Sequence, residues 1–275
     1  MLSLMTLVVA TLHGELFDEL RRHGGYVHPS IEAFQHPGLG TRLRMVEGAS
    51  RIEAGGMLIG VPPALQLSWS AVEGHPISHA VSQLLPDPEQ WDMRLATAML
   101  TLEYLQLTGG GREHEWYWRS YVASLPQSIP TLPSVLDELE LAEAGSRHPS
   151  VPDAVAQRRA FLHALSEALE MDPRSLEYSY AMVTSRAFKI DGNKAPGVML
   201  PLIDLANHDF KPNGQLVRLS EPDGALPAGS ACLVAERTIE AGDEVLIVYA
   251  YLANDMLLLD YGFEVKENLY GENTE

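Results

Sequence analysis

The chain has 275 residues, 46% hydrophobic and 20% charged, enough to bury a full core as one domain or as one domain carrying an insertion. Nineteen basic residues against 37 acidic ones leave a net charge of −18. Such a surface repels phosphate backbones, so nucleic acid is not an expected partner, and it speeds encounter with basic partners, such as a lysine-bearing protein segment, without fixing any chemistry. The single Cys232 excludes an internal disulfide framework and a thiolate metal cluster, and the ten histidines show no metal-type pairing on one helix face, so no metal is expected.

The opening Met1–Ala10 is apolar, but no basic residue precedes it and it is too short to span a bilayer. It reads as a first helix or strand on the core, in preference to a signal or transit peptide, and no membrane association is expected. Residues 15 to 23 predict a short amphipathic helix stopped by Gly24-Gly25. After an extended stretch around Pro29 comes a glycine loop, Pro37-Gly38-Leu39-Gly40, for which a tight turn is the default reading. From Leu43 to Leu67, short β-type runs alternate with turns at Gly48, Gly55-Gly56 and Pro62-Pro63, which predicts small antiparallel strands.

The character changes near Trp69. Leu95, Met99, Leu102 and Leu105 follow helical spacing over 91–108. Trp116, Trp118 and Tyr121 form an aromatic cluster read as packing. A further helix is predicted from Pro152 to Met171, and another starting at Asp172-Pro173, with Asp as the cap and Pro at the first helical position. β character resumes after Ser185-Arg186, with runs at 196–203, 215–219, 231–236 and 244–249. Two echoes, Ile52-Glu-Ala-Gly55 and Ile239-Glu-Ala-Gly242, look like the same turn device. A Leu-rich helix at Asn254–Asp260 ends in Tyr261-Gly262, with glycine suited to the cap.

The richest stretch is Asp204-Leu-Ala-Asn-His-Asp-Phe-Lys-Pro-Asn213, which follows an apolar run and delivers Asp, Asn and His together at a turn. On its own it fits equally a turn that satisfies its own backbone. Taken in order with Gly38-Leu39-Gly40, Ser185-Arg186-Ala-Phe188 and residues 239–263, it resembles the SET-domain protein-lysine methyltransferases, in the subgroup typified by the Rubisco large-subunit methyltransferase. The ordered pairing of Asn-His with Tyr249, eleven residues and Tyr261-Gly-Phe carries the likeness.

The resemblance implies an α+β SET-domain fold: small antiparallel sheets and a knot-like C-terminal segment, with a helical insertion. One domain would then comprise an N-terminal SET part at 24–69, the insertion at 70–184, a C-terminal SET part at 185–263 and a tail at 264–275, with no C-terminal substrate-binding lobe. It implies S-adenosylmethionine as cofactor, held by Gly38, Leu39, Gly40, Ser185, Arg186, Asn207, His208 and Tyr261. Tyr249 would be catalytic, and Arg186, Asp204, Tyr249 and Tyr261 would line the substrate channel. The implied activity is lysine N-methylation of a non-histone protein by a monomer; the compartment is left open, the acidic surface favouring the cytoplasm or a plastid over chromatin. The alternatives are a non-catalytic SET-like protein-binding module and a protein-histidine methyltransferase. Three positions depart from the pattern: Pro37, Ala250 after the catalytic tyrosine, and Met256 where a glutamate is usual.

Overall fold

The computed structural model describes residues 4–36, 40–69, 76–108, 115–192 and 194–270. In chain order its elements are α1 (Leu4–Arg22), β1 (Tyr26–Val27), β2 (Ile31–His36), β3 (Gly40–Met45), β4 (Met57–Val61), α2 (Pro76–Leu84), α3 (Trp91–Thr108), α4 (Glu115–Ser124), α5 (Glu138–Arg147), α6 (Ser150–Ala168) and α7 (Pro173–Arg186). There follow β5 (Ala187–Phe188), β6 (Val198–Met199), β7 (Asn207–His208), β8 (Gly214–Arg218), β9 (Ala231–Ala235), β10 (Leu246–Ile247) and α8 (Asn254–Tyr261). The chain divides into two compact units, the first made of 1–68, 102–125 and 188–249, the second of 69–101, 126–187 and 250–275.

The first unit is β-rich. Its main sheet has the order β1-β4-β9-β8 and is antiparallel throughout. Cys232 stands on β9 opposite Gly60, fully buried, and burial pushes its thiol up to about 11, so it is an inert core group. β2 and β3 form a hairpin in register from Ile31↔Met45 to His36↔Gly40. Gly40 has φ +79, a backbone conformation that L side chains rarely adopt, while Gly38 and Leu39 lie outside the described residues.

The two Ile-Glu-Ala-Gly echoes turn out to face each other. Ile52 and Ile239, both buried, exchange backbone hydrogen bonds of 3.0 and 2.9 Å, and Gly55 and Gly242 share the same φ of +84. The device is reciprocal: Gly55 N–H donates to the Ala235 carbonyl before the second echo, and Gly242 N–H donates to the Met45 carbonyl before the first. Each echo therefore closes a turn onto the strand that leads into the other. The second turn delivers Glu244 and β10 to the site described below.

The second unit is helical. Asp172 caps α7 as expected, accepting from Ser175 N–H at 2.8 Å with Pro173 next in line, and those bonds hold its carboxyl below the usual range. Leu258 and Leu259 of α8 pack with Val151 and Val155 of α6 and Ala144 of α5. Beside them Arg158 pairs with Asp260 at 2.7 Å, and the Tyr180 hydroxyl donates to Asp92 at 3.0 Å. Gly262 ends α8 in the left-handed conformation, as its sequence position predicts. No described helix is long and apolar enough to cross a membrane.

Several elements depart from expectation. The helix expected at 15–23 begins at Leu4. The strand expected over 196–203 is only Val198–Met199, because Pro201 lacks an N–H and Leu202 sits at φ +71, after which Ile203–Leu205 wind into a 3-10 turn. The aromatic cluster at 116–121 belongs to a helix, α4, and α2 and α5 were not anticipated.

Candidate active site

The site lies in the first unit, where β7 and β10 run parallel with Asn207 opposite Leu246 and His208 opposite Ile247. Two-residue strands persist there because side chains complete the pairing. Asn213, 4% exposed, accepts from Leu246 N–H at 2.8 Å and donates to the Glu244 carbonyl at 2.8 Å. Its own N–H donates to the Leu246 carbonyl at 3.1 Å. One buried asparagine thus satisfies the backbone that such short strands leave over.

The 3-10 turn before β7 buries Asp204, whose carboxylate accepts from the Tyr121 hydroxyl of α4 at 2.9 Å. Three residues on, the Asn207 side-chain amide donates to Glu244 Oε1 at 2.6 Å, and Arg42 Nη1 of β3 donates to Glu244 Oε2 at 2.8 Å. His208 Nδ1 accepts the backbone N–H of Tyr249 at 3.1 Å, so the neutral ring carries its proton on Nε2. Burial lowers the His208 pKa, partly opposed by Asp209, and the ring is neutral at pH 7.

Tyr249 follows β10, half-buried, and donates its hydroxyl to the Ala206 carbonyl at 2.8 Å. Phe188 meets its ring edge-on at 6.5 Å between centroids, and the His208 ring lies 5.5 Å away. Phe210 meets the His208 ring edge-on at 4.6 Å between centroids. The result is an aromatic cluster around one phenol whose proton is committed to a carbonyl. Its oxygen lone pairs face outward from that bond as acceptors.

Asp204, Asn207 and His208, up to 45 positions before Tyr249 in sequence, are therefore gathered with it in one unit. Arg186, Ser185 and Tyr261 belong to the second. Ser185, in the last turn of α7, donates its hydroxyl back to the Ala181 carbonyl at 2.7 Å. Tyr261 ends α8 beside Phe263, and burial, reinforced by Asp260, pushes its phenol up to about 12, so it stays protonated. Among the described residues no group of three or more His, Cys, Asp or Glu is disposed to hold a metal.

Sequence reasoning missed Arg42, Glu244 and Asn213. Glu244 carries a faint signal, a carboxylate in an otherwise apolar run, and Asn213 was read only as a turn former. Arg42 has none, since its partner lies 202 positions away.

No protein-family model matches the sequence, and no curated protein matches it. Solved structures do. One, described as the SET domain of LSMT bound to lysine and AdoHcy, is 18% identical with a TM-score of 0.71, covering 93% of this chain and 57% of its own. Rubisco LSMT bound to AdoMet gives 16% and 0.61, over 93% and 57%. Rubisco LSMT bound to sinefungin and monomethyllysine gives 18% and 0.61, over 97% and 57%. This chain thus spans 57% of the length of the structures it matches. At such identities the likeness is one of fold: the chain is folded as a SET domain of the Rubisco LSMT kind.

Proposed function

We propose that the chain is an S-adenosylmethionine-dependent protein-lysine N-methyltransferase acting on a non-histone protein. The observation that carries this reading is the Tyr249 phenol, pinned to the Ala206 carbonyl inside an aromatic cluster and immediately beside Asn207 and His208. Solved neighbours bound to AdoMet, AdoHcy, lysine and methyllysine support it.

The residues suit the cofactor. The Asn207 amide nitrogen is engaged by Glu244, so the carboxamide oxygen is left as an acceptor matched to an α-ammonium group. The neutral His208 brings no positive charge near a sulfonium. When bound, the cofactor supplies an activated methyl group, and in-line displacement by an amine needs neither metal nor covalent enzyme. What this chain provides is alignment and the exclusion of water. Phe188, Tyr249 and the His208 ring favour the neutral form of an entering amine by desolvation. The Tyr249 oxygen, its proton already donated, accepts from the amine N–H and fixes its approach, and the ring faces stabilise the cationic product.

The test is transfer of labelled methyl from S-adenosylmethionine to proteins in an extract, with the product identified by mass spectrometry as methyllysine. Tyr249→Phe keeps the ring and removes the hydroxyl. Turnover should fall by about 100- to 1,000-fold, the range for losing one oriented polar group at a reacting centre, while cofactor affinity changes by less than about 3-fold. Unchanged turnover removes the tyrosine from the reaction. Cofactor binding without transfer to any protein identifies a binding module, and label on histidine identifies the histidine enzyme.

A further inference from the structure

We propose that Glu244, held by Arg42, is a positioning residue: it sets the direction of the Asn207 carboxamide and so enforces recognition of the cofactor's α-ammonium group. The proposal rests on the methyltransferase reading above and adds two residues to it.

The geometry is a three-membered chain. Glu244 Oε1 accepts from the Asn207 amide at 2.6 Å, and Oε2 accepts from Arg42 Nη1 at 2.8 Å. The Arg42 and Glu244 side chains are 17% and 23% exposed. An asparagine amide presents an acceptor at one end and donors at the other, and the two ends are alike in size. Only a neighbour of fixed character decides which end points where. A carboxylate only accepts, so Glu244 can face only the nitrogen end, and the oxygen must point away from it. The opposite orientation would aim N–H groups at an ammonium.

Arg42 completes the device by fixing the carboxylate: its Nη1 holds Oε2, which leaves Oε1 aimed at the Asn207 amide. Arg42 stands two residues after Gly40 on β3, so one charge pair, extended by the Asn207–Glu244 hydrogen bond, joins β3 to the Asn-His strand. The Glu244 backbone is held without its side chain. Asn213 donates to its carbonyl, and Val245 N–H donates to Leu43 at 2.9 Å. The side chain is therefore open to substitution without loss of the strand.

The experiment compares calorimetric binding of S-adenosylhomocysteine with that of the analogue in which hydrogen replaces the α-amino group. The wild-type chain should prefer the amine-bearing ligand by about 10- to 100-fold, the worth of one hydrogen bond to a charged group. Glu244→Gln can offer its own amide N–H to Asn207 and no longer dictates the flip, so the preference should drop below about 3-fold, with the analogue's own affinity little changed. Arg42→Met should also lower the preference, and Arg42→Lys should restore most of what Arg42→Met loses. A role in folding alone weakens both ligands by the same factor, and that result, or an undiminished preference in Glu244→Gln, overturns the proposal. Should Glu244→Gln fail to fold, the contrast between Arg42→Met and Arg42→Lys decides in the same terms. Binding of neither ligand by the wild-type chain would instead bring down the methyltransferase reading, and the proposal with it.

Discussion

Leu202 shows how much the backbone is bent to present the site. It lies at φ +71 and ψ −38, fully buried, two residues before Asp204 and five before Asn207. A branched side chain at positive φ costs about 1–3 kcal/mol, and it persists because the surroundings hold it. Two substitutions separate the strain from the packing. Leu202→Ala loses the side chain and keeps the strain; Leu202→Gly loses the side chain and relieves it. Both should be less stable than wild type, by about 2–5 kcal/mol for the emptied core position, so packing outweighs strain. Yet the glycine variant should be more stable than the alanine variant by about 1 kcal/mol, the reverse of the usual order, as read by urea denaturation. The histidines give a pH signature. His208 and His28 have pKa values lowered by burial below the ordinary 6.5. As pH falls below 6.5 the unfolded chain takes up protons that the native rings resist, so stability is full above 6.5 and declines through the window beneath it. His208→Asn keeps an acceptor for the Tyr249 N–H and cannot titrate, so the fall in melting temperature between pH 7.5 and 5.5 should be smaller in that variant.

At the scale of elements, the legible parts are those whose cause is local. Asp172-Pro173 starts α7 and Gly262 stops α8 because capping acts within one turn, and the helical spacing of Val155, Leu162 and Leu165 marks α6 for the same local reason. The strands of the site were readable only as apolar runs. Their true extents are fixed by Asn213 and by the reciprocal turns at Ile52 and Ile239, partners separated along the chain by up to 197 positions. Asn207, His208 and Tyr249 could be singled out from their ordered motif, whereas the pairing of Glu244 with Arg42 is a product of the fold. The glycines grade this difference. At Gly55, φ is +84 and nothing stands within 4 Å of an added Cβ, so Gly55→Ala should cost about 1 kcal/mol, from conformation alone. At Gly262, φ is +77 and an added Cβ would lie 2.6 Å from Thr131 Oγ1 and 3.0 Å from the Leu132 backbone, more than a hundred positions away in sequence. Gly262→Ala should therefore cost at least ~2 kcal/mol more than Gly55→Ala, through the steric overlap that only the second site has. Thermal or urea unfolding of the two variants side by side measures the difference.

Over the whole molecule, each compact unit is assembled from three separated segments, so the chain passes from one to the other at 68–69, 101–102, 125–126, 187–188 and 249–250. The final segment shows what this requires energetically. α8 supplies Leu258 and Leu259 to the cluster formed with Val151, Val155 and Ala144, and Asp260 to the half-buried Arg158. The guanidinium of Arg158 also donates to the Leu259 carbonyl and lies over the Tyr180 ring, whose hydroxyl is bonded to Asp92. A chain ending at residue 249 would keep every residue of the β-rich unit and still leave Arg158 without its carboxylate and the Val151 and Val155 face of α6 without its leucines. Losing a half-buried ion pair costs about 1 kcal/mol and losing two buried leucines about 1.5–3 kcal/mol each, together a large part of the 5–15 kcal/mol that stabilises an ordinary domain. Exposing the leucine-facing surface of α6 adds to that loss. The helical unit should therefore lose its cooperative thermal transition when residues 250–275 are deleted. Restoring the charge balance alone, by combining the deletion with Arg158→Met, should recover only part of it, because the apolar contacts of Leu258 and Leu259 remain absent. Calorimetry of the full chain, the deletion and the deletion carrying Arg158→Met separates the two contributions, and a deletion that melts as cooperatively as the full chain would show that α8 does not hold this unit together.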